Sequence, residues 1–209
     1  MKNYLLVILD AVRHDNFIKA VTPNMDSIGK VEKAYTGASW TLASIFGFLT
    51  VPSHIGFHDL LPYSAPEHFW VPIAFQENGY FTAYLHSNTW LTMHKEVFER
   101  GFDYFYDFDA EIGKPQTKYK LESMVDVCRE LICQVPYFIV LHIMESHFPY
   151  FDGIKSYPKV PLSNQIKAIE YIDRQLVRLF KELKNTQVII TADHGTTVEG
   201  HCPKYVNDF

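Results

Sequence analysis

The amino-acid sequence predicts a three-layer α/β domain, in which helices cover both faces of a mostly parallel sheet. Apolar segments rich in β-branched and aromatic residues alternate along the chain with segments of helical periodicity. The apolar segments are nearly continuous, which is typical of strands that are covered on both faces in parallel sheets. No internal repeat or linker interrupts the pattern, so we expect residues 1–209 to form one domain.

The predicted strands are apolar runs that stop abruptly at polar residues. They cover residues 4–9, 80–85, 137–141 and 188–192. The first run ends at Asp10, the third leads into His142, and the last ends at Asp193. These changes from apolar to ionisable residues mark the carboxyl ends of the strands.

The predicted helices are identified by the spacing of their apolar residues. The clearest begins near Ser163, which can cap it, and carries its apolar residues on one face, at positions 166, 169, 172, 176, 179 and 183. Further helices are expected after the turn at 22–24, from Thr41 to 49, and over 69–78 and 117–134. We expect residues 101–108 to be irregular and residues 148–161 to form a surface loop.

Composition excludes several classes of partner. The formal net charge is −5, without a cluster of lysines and arginines, which argues against nucleic-acid binding. No apolar run approaches the roughly 18 residues of a membrane span, and the run at 4–9 is too short for a signal peptide. The 3 cysteines have spacings that fit neither a zinc site nor a disulfide framework. We therefore expect a cytoplasmic protein without nucleic-acid or membrane partners.

Potential metal ligands follow three of the predicted strands. They are Asp10, then Glu145 and His147, then Asp193 and His194. Because the carboxyl ends of parallel strands share one edge of the sheet, these side chains are expected to converge. Carboxylate and imidazole ligands suit a hard or borderline divalent cation. A single acid at a strand end is equally well explained as a helix cap, so the prediction depends on all three together.

Short blocks along nearly the whole chain resemble the sulfatase branch of the alkaline phosphatase superfamily. The residues that carry the resemblance are the strand and acid at 8–15, Thr-Pro-Asn-Met-Asp at 22–26, Trp-Thr-Leu-Ala-Ser at 40–44, the segments 79–83, 88–91 and 101–103, Glu-Ser-His-Phe-Pro-Tyr at 145–150, and Thr-Ala-Asp-His-Gly at 191–195 with Gly200 and His201. The blocks are individually short, but their order and spacing make the resemblance specific. It implies an alkaline-phosphatase-like fold.

The resemblance also implies a metal site and a nucleophile. Asp10, Asp193 and His194 would hold a divalent cation (Zn, Mn, Ca or Mg), with the hydroxyl of Thr41 as a further ligand. Thr41 would attack phosphorus or sulfur and form a covalent intermediate, which water or another acceptor resolves. Ser39 and Ser44 are rival hydroxyls, but the register of the block favours Thr41.

Further site residues follow from the same resemblance. His147 and His201 would bind the transferred group, protonate the leaving group, or hold a second metal ion together with Glu145, so one or two ions are expected. Asn88 is expected to contact the charged oxygens of a small anionic ester substrate. Arg13 is expected to bind the same anion or to pair with Asp15.

The nucleophile block departs from that of true sulfatases. Sulfatases make a formylglycine from Cys or Ser, with Pro or Ala two residues later and Arg four residues later, whereas this chain has Thr41, Ala43 and Ile45. A threonine cannot supply the formylglycine aldehyde. Hydrolysis of phosphate mono- or diesters, or phosphoryl transfer, is therefore favoured over sulfate-ester hydrolysis.

The resemblance also sets an expectation for the end of the chain. Family members continue past the Asp-His-Gly block into a C-terminal subdomain, whereas this sequence ends at Phe209. We expect a domain that lacks that subdomain and is completed by a second copy or a partner chain. Three alternatives stay open: a non-catalytic member that binds an anionic ligand or partner, a sulfuric ester hydrolase, and a phosphomutase-like isomerase.

Overall fold

A five-stranded parallel sheet forms the centre of the protein. The computed structural model describes residues 1–50, 70–108, 120–157 and 163–196. The strands are β1 (Asn3–Leu9), β2 (Phe81–His86), β3 (Tyr104–Asp107), β4 (Tyr137–Ile143) and β7 (Thr186–Ala192), and a separate pair consists of β5 (Tyr150–Phe151) and β6 (Ser156–Tyr157). The order across the sheet is β3-β2-β4-β1-β7, and all neighbouring strands in it are parallel. The predicted parallel sheet is confirmed.

Helices cover both faces of this sheet. They are α1 (His14–Phe17), α2 (Pro23–Asp26), α3 (Thr41–Leu49), α4 (Val71–Glu77), α5 (Thr89–Met93), α6 (Lys95–Phe98), α7 (Leu121–Leu131) and α8 (Ser163–Phe180). One apolar cluster joins the sheet to α7 and α8 through residues such as Met124, Ile169 and Leu176. A second cluster joins the opposite face to α3 and α5 through Leu42, Ile45 and Leu91. The two clusters make this a three-layer α/β/α arrangement, as predicted.

The register of the sheet sets the level at which the strands end. Leu9 of β1 pairs with Ile143 of β4 on one side and with Ala192 of β7 on the other. Asp10 and Asp193 therefore leave the sheet at the same level, at its carboxyl edge. Among the described residues β7 pairs only with β1, and a second copy or a partner chain beside it stays a prediction.

Residues 101–108 correct the sequence-based expectation, because they contain β3 and are not irregular throughout. Ala83 of β2 pairs with Tyr104, and the rings of Tyr104 and Tyr106 stack with centroids 5.4 Å apart. Aromatic residues favour strands. A strand with four residues is too short to show a clear period, and the acidic residues around this one suggested a loop instead.

The expected loop at 148–161 contains a short pair of strands in its described part. Strands β5 and β6 form an antiparallel pair, and the Asp152 side chain accepts the amides of Ile154 and Lys155 at 3.0 Å each. Gly153 occupies the turn with φ +91°, and a Cβ atom there would lie 2.5 Å from the ring of Tyr171. The turn therefore needs glycine for both its backbone conformation and its contact with α8.

Among the residues whose positions are described, no helix has both the length and the apolar character needed to cross a membrane. The cytoplasmic location stays a prediction.

His86, the last residue of β2, is fully buried beside the ring of Phe105, with ring centroids 4.8 Å apart. Its Nδ1 accepts the backbone N–H of Asn88 at 3.3 Å. Burial lowers the pKa of His86 to about 3. The folded protein therefore excludes a proton that the unfolded chain binds near pH 6.5.

We predict that His86 makes the protein less stable as the pH falls from 8 to 5. The unfolded state binds this proton below about pH 6.5 and the folded state does not, so His86 should account for a loss of roughly 2 kcal/mol at pH 5. His86→Asn keeps an acceptor for the Asn88 amide but does not titrate. Urea unfolding at both pH values should show a smaller loss for this variant, whereas His14→Asn, at an exposed position in α1, should behave like the wild type. Equal losses in all three proteins would refute the assignment.

Candidate active site

Asp10 and Asp193 lie side by side at the carboxyl edge of the sheet, and both are fully buried. The turn after β1 orients the pair. Ala11 adopts a left-handed conformation with φ 59°, unusual for a residue with a side chain, and its N–H donates to Asp193 Oδ1 at 2.9 Å. The backbone N–H of His194 donates to the same oxygen at 2.8 Å. Asp193 Oδ2 has no hydrogen-bond partner among the described residues.

Asp10 is held through its other carboxylate oxygen. Oδ2 accepts from Asn88 Nδ2 and from His142 Nε2, each at 3.0 Å, and the hydroxyl of Thr41 lies 3.4 Å from it. Asp10 Oδ1 is buried without a partner among the described residues. Each aspartate thus has one oxygen satisfied by protein donors and one oxygen that needs a ligand.

Two imidazoles present Nε2 to these oxygens. The Nδ1 atoms of His194 and His147 lie 2.7 Å from the carbonyl of Gly195 and 2.6 Å from that of Phe148. A carbonyl only accepts, so Nδ1 carries the proton, and Nε2 of the neutral ring is a lone-pair donor. His194 Nε2 lies 3.4 Å from Asp193 Oδ2 and 3.9 Å from Asp10 Oδ1. His147 Nε2 lies 3.9 Å from Asp10 Oδ1.

Thr41 is the first residue of α3, as the sequence indicated, and it is buried. Its hydroxyl lies 3.3 Å from His194 Nε2, in addition to its contact with Asp10. The start of a helix presents backbone N–H groups that favour an anion. The hydroxyl therefore lies beside two possible metal ligands, Asp10 and His194, at a helix end that favours an anion.

The two carboxyl groups differ in electrostatics. Burial alone would raise the pKa of Asp10, but the hydrogen bond from His142 and the nearby imidazoles outweigh it, so this pKa lies below its usual value. Burial and the charge of Asp10 raise the pKa of Asp193 to about 6. An adjacent cation would offset this repulsion.

The site fits a divalent metal ion in two ways that share the aspartates. Asp10, His142 and Asp193 offer ligand atoms within 4.8 Å of one another. Asp10, Asp193 and His194 offer two oxygens without hydrogen-bond partners among the described residues and one unprotonated nitrogen. We favour the second set because His142 Nε2 faces a carboxylate that only accepts, so that nitrogen carries a proton. Oxygen and imidazole ligands suit zinc or manganese in either set.

Several predicted site residues lie elsewhere or have other partners. The structure does not bring Glu145 to the aspartates: its Oε1 accepts the N–H of Leu121, the first residue of α7, at 2.8 Å. Burial raises the pKa of Glu145 to about 7. Its Oε2 is buried without a hydrogen-bond partner among the described residues, and the expected role of Glu145 in a second metal site stays a prediction. His201 lies outside the described residues.

Arg13 and Asn88 make defined contacts near the site. Arg13 pairs with Asp15 through two bonds of 2.8 Å and donates to the carbonyl of Thr196 at 3.0 Å. Of the two roles expected for Arg13, this structure contains the ion pair. Asn88 caps α5 through Oδ1 while its Nδ2 contacts Asp10, and substrate binding by either residue stays a prediction.

Sequence reasoning missed His142, Tyr84 and Gln165. His142 lies inside β4, a strand in which every residue is buried, and a histidine in such a run signals a specific partner. Its Nδ1 lies 3.0 Å from the hydroxyl of Tyr84, which is buried on β2. Gln165 of α8 donates to the carbonyls of Ala11 and Ser146 at 2.9 and 3.1 Å and so connects two loops of the site. No sequence signal indicated Gln165.

Comparison with protein families gives a match that covers almost the whole chain. The family model described as Sulfatase matches residues 2–208. No curated protein matches the chain.

Solved structures show the same fold at low sequence identity. A protein in the alkaline phosphatase superfamily from Vibrio parahaemolyticus has a TM-score of 0.72 at 19% identity, over 96% of this chain and 56% of that one. The C-terminal periplasmic domain of EcEptC from Escherichia coli, in complex with Zn, has a TM-score of 0.70 at 17% identity, over 94% and 64%. Murine ectonucleotide pyrophosphatase/phosphodiesterase 5, in an inactive form with AMP, has a TM-score of 0.56 at 19% identity, over 98% and 59%. The chain therefore spans less than two thirds of each of these structures.

We predict that Asp193→Asn stabilises the protein when metal is removed by a chelator. The asparagine Oδ1 can accept both N–H groups that Asp193 Oδ1 accepts, while the charge beside Asp10 is lost, so the free energy of unfolding should rise by roughly 1–2 kcal/mol. Added Zn²⁺ should stabilise the wild type and not the variant. Urea unfolding with chelator and with Zn²⁺ measures both effects.

The matched control is Asp173→Asn. Asp173 is also buried, but its Oδ1 accepts the Met25 amide at 2.8 Å and its Oδ2 accepts from Asn24 Nδ2 at 2.7 Å. The amide would replace one of these acceptors, so this variant should be less stable than the wild type. A loss of stability in Asp193→Asn with chelator would show that the repulsion between the aspartates is not significant.

Proposed function

Because this chain belongs to the sulfatase family, we propose that it is a metal-dependent hydrolase or transferase of phosphate esters that uses Thr41 as its nucleophile. One observation carries the proposal. The Thr41 hydroxyl lies 3.4 Å from Asp10 and 3.3 Å from His194, beside two buried carboxylate oxygens that have no partner among the described residues. This arrangement supports an activated hydroxyl next to a cation site.

Asp10 Oδ1, Asp193 Oδ2 and His194 Nε2 would hold the metal ion, with the Thr41 hydroxyl as a further ligand. The ligand types accommodate Zn or Mn and do not exclude Mg or Ca. A bound divalent cation would favour the ionised form of a neighbouring hydroxyl and offset the negative charge of ester oxygens. The zinc complex of the C-terminal periplasmic domain of EcEptC supports a divalent metal in this fold.

Thr41 would act in two steps. In the first, a bond forms between Thr41 Oγ1 and phosphorus as the bond between phosphorus and the leaving oxygen breaks, and the hydroxyl proton passes to solvent water. In the second, water or another hydroxyl compound displaces Thr41 Oγ1 from phosphorus and restores the threonine. His147, after its Nε2 takes up a proton, or His201 would donate a proton to the leaving oxygen.

The residues near Thr41 favour phosphate over sulfate esters. Threonine cannot form the formylglycine on which sulfatases depend. Ile45, at the position of the sulfatase arginine, is fully buried in the apolar cluster between α3 and the sheet. An arginine there would require burial of its charge. The AMP complex of the murine phosphodiesterase relative is consistent with a phosphate ester as substrate.

We predict that Thr41→Ala abolishes metal-dependent turnover, with a loss of at least roughly 10³-fold in kcat, because the variant lacks the attacking oxygen. Thr41→Ser keeps a hydroxyl and should retain activity. Ser44→Ala is the control, since Ser44 also lies on α3 and its hydroxyl contacts Thr36 at 2.9 Å and the carbonyl of Ala38 at 3.2 Å. Turnover of an aryl phosphate, a bis-aryl phosphate and an aryl sulfate should be measured with Zn, Mn, Mg or Ca added.

The substrate panel separates the alternatives. Turnover of a phosphate ester that is lost in Thr41→Ala and kept in Ser44→Ala supports the proposal. Turnover of the aryl sulfate alone would overturn the choice of phosphate. Tight binding of metal or of phosphate without turnover would favour a non-catalytic, anion-binding member of the family.

A further inference from the structure

We propose that Tyr84 and His142 are positioning residues, which hold the Asp10 carboxylate so that Oδ1, and not Oδ2, is presented to the metal ion. This inference deepens the proposed function and rests on it, since the metal ion belongs to that proposal. Neither residue belongs to the favoured ligand set. We call the chain of contacts from Tyr84 through His142 to Asp10 the positioning relay.

The relay crosses three neighbouring strands of the sheet. Tyr84 lies on β2, His142 on the adjacent β4, and Asp10 directly follows β1, which is the next strand. The hydroxyl of Tyr84 lies 3.0 Å from His142 Nδ1, and His142 Nε2 lies 3.0 Å from Asp10 Oδ2. All three side chains are fully buried, so water does not compete for these contacts. Hydrogen bonds in such surroundings orient their partners strongly.

The partners fix the direction of each hydrogen bond. An ionised carboxylate only accepts, so His142 Nε2 carries a proton and donates it to Asp10. In the neutral ring Nδ1 then has a lone pair, and the hydroxyl of Tyr84 is the group that donates to it. His142 Nε2 is therefore unavailable as a metal ligand while this bond exists. His142 lies within reach of both aspartates, and in this proposal it orients one of them instead of binding the ion.

The relay determines which oxygen of Asp10 remains available. Oδ2 is held by His142 and also by Asn88 Nδ2, whereas Oδ1 has no partner among the described residues and lies 3.9 Å from the Nε2 atoms of His147 and His194. Rotation of the carboxylate would break the bonds to Oδ2. The relay thus keeps Asp10 Oδ1 available to the proposed metal ion. Partners that orient metal ligands in this way typically change metal affinity by about 10–100-fold when they are removed.

The first test measures Zn²⁺ affinity by competition with a chromophoric chelator. His142→Leu removes the donor and should weaken Zn²⁺ binding by about 10–100-fold. His142→Gln can place an N–H near the same carboxylate oxygen and should restore much of that loss. Tyr84→Phe should weaken binding by up to about tenfold, because His142 then lacks the partner that orients its ring.

Tyr137→Phe is the matched control for Tyr84→Phe. Tyr137 is also buried, and its hydroxyl lies 2.7 Å from Thr186 Oγ1 at the opposite end of β4. It should bind Zn²⁺ like the wild type. Wild-type affinity in His142→Leu would overturn the proposal. If the leucine variant does not fold, wild-type affinity in Tyr84→Phe would overturn it instead.

The second test uses ¹⁵N NMR of the histidine rings, which is independent of activity. The wild type should carry the His142 proton on Nε2, both before and after Zn²⁺ is added. A proton on Nδ1 alone, or loss of the Nε2 proton on addition of Zn²⁺, would identify His142 as a ligand and overturn the relay. If the wild type binds no Zn²⁺, the proposed function fails, and the position of the His142 proton in the same protein still decides whether the relay exists.

Discussion

The structure of the site depends on burying two carboxylates, Asp10 and Asp193, next to each other. Hydrogen-bond donors of the protein offset their repulsion. Asp193 accepts two backbone N–H groups, and Asp10 accepts from His142 and Asn88. The oxygens left without such donors both lie within 4 Å of His194 Nε2, at 3.9 Å for Asp10 Oδ1 and 3.4 Å for Asp193 Oδ2. A natural protein keeps such an arrangement at a cost in stability, which a cation would repay by satisfying both oxygens.

The parallel sheet makes this pairing possible. Leu9 and Ala192 are in register on adjacent strands, so the acids that follow them leave the sheet at one level. Gln165 of α8 holds the loops that follow β1 and β4, because its side chain donates to the carbonyls of Ala11 and Ser146. Thr41 approaches from the opposite layer, at the start of α3. The site is therefore assembled from both helical layers and from the sheet, and each contributes a different type of group.

The parts of the fold that repeat a clear pattern could be predicted from the sequence. Long apolar runs predicted β1, β4 and β7, and the spacing of apolar residues along α8 predicted its buried face. Strand β3 was missed because an edge strand of four residues shows no period. The contact between Glu145 and the amide of Leu121 was missed because the two residues are 24 positions apart in the sequence. Motif spacing indicates which strand end a residue follows, but not the direction in which its side chain points.

The three histidines around Asp10 show why side-chain chemistry needs the structure. His194 and His147 each donate a hydrogen bond from Nδ1–H to a backbone carbonyl, and so present a lone pair on Nε2. His142 has a tyrosine hydroxyl at Nδ1 and a carboxylate at Nε2, and so presents a proton instead. The same residue type is therefore suited to bind a cation in one place and to orient a proposed metal ligand in another. The partner of each Nδ1 decides between the two. For His194 and His147 it is the carbonyl of the next residue, whereas for His142 it is Tyr84, which lies 58 positions earlier in the chain.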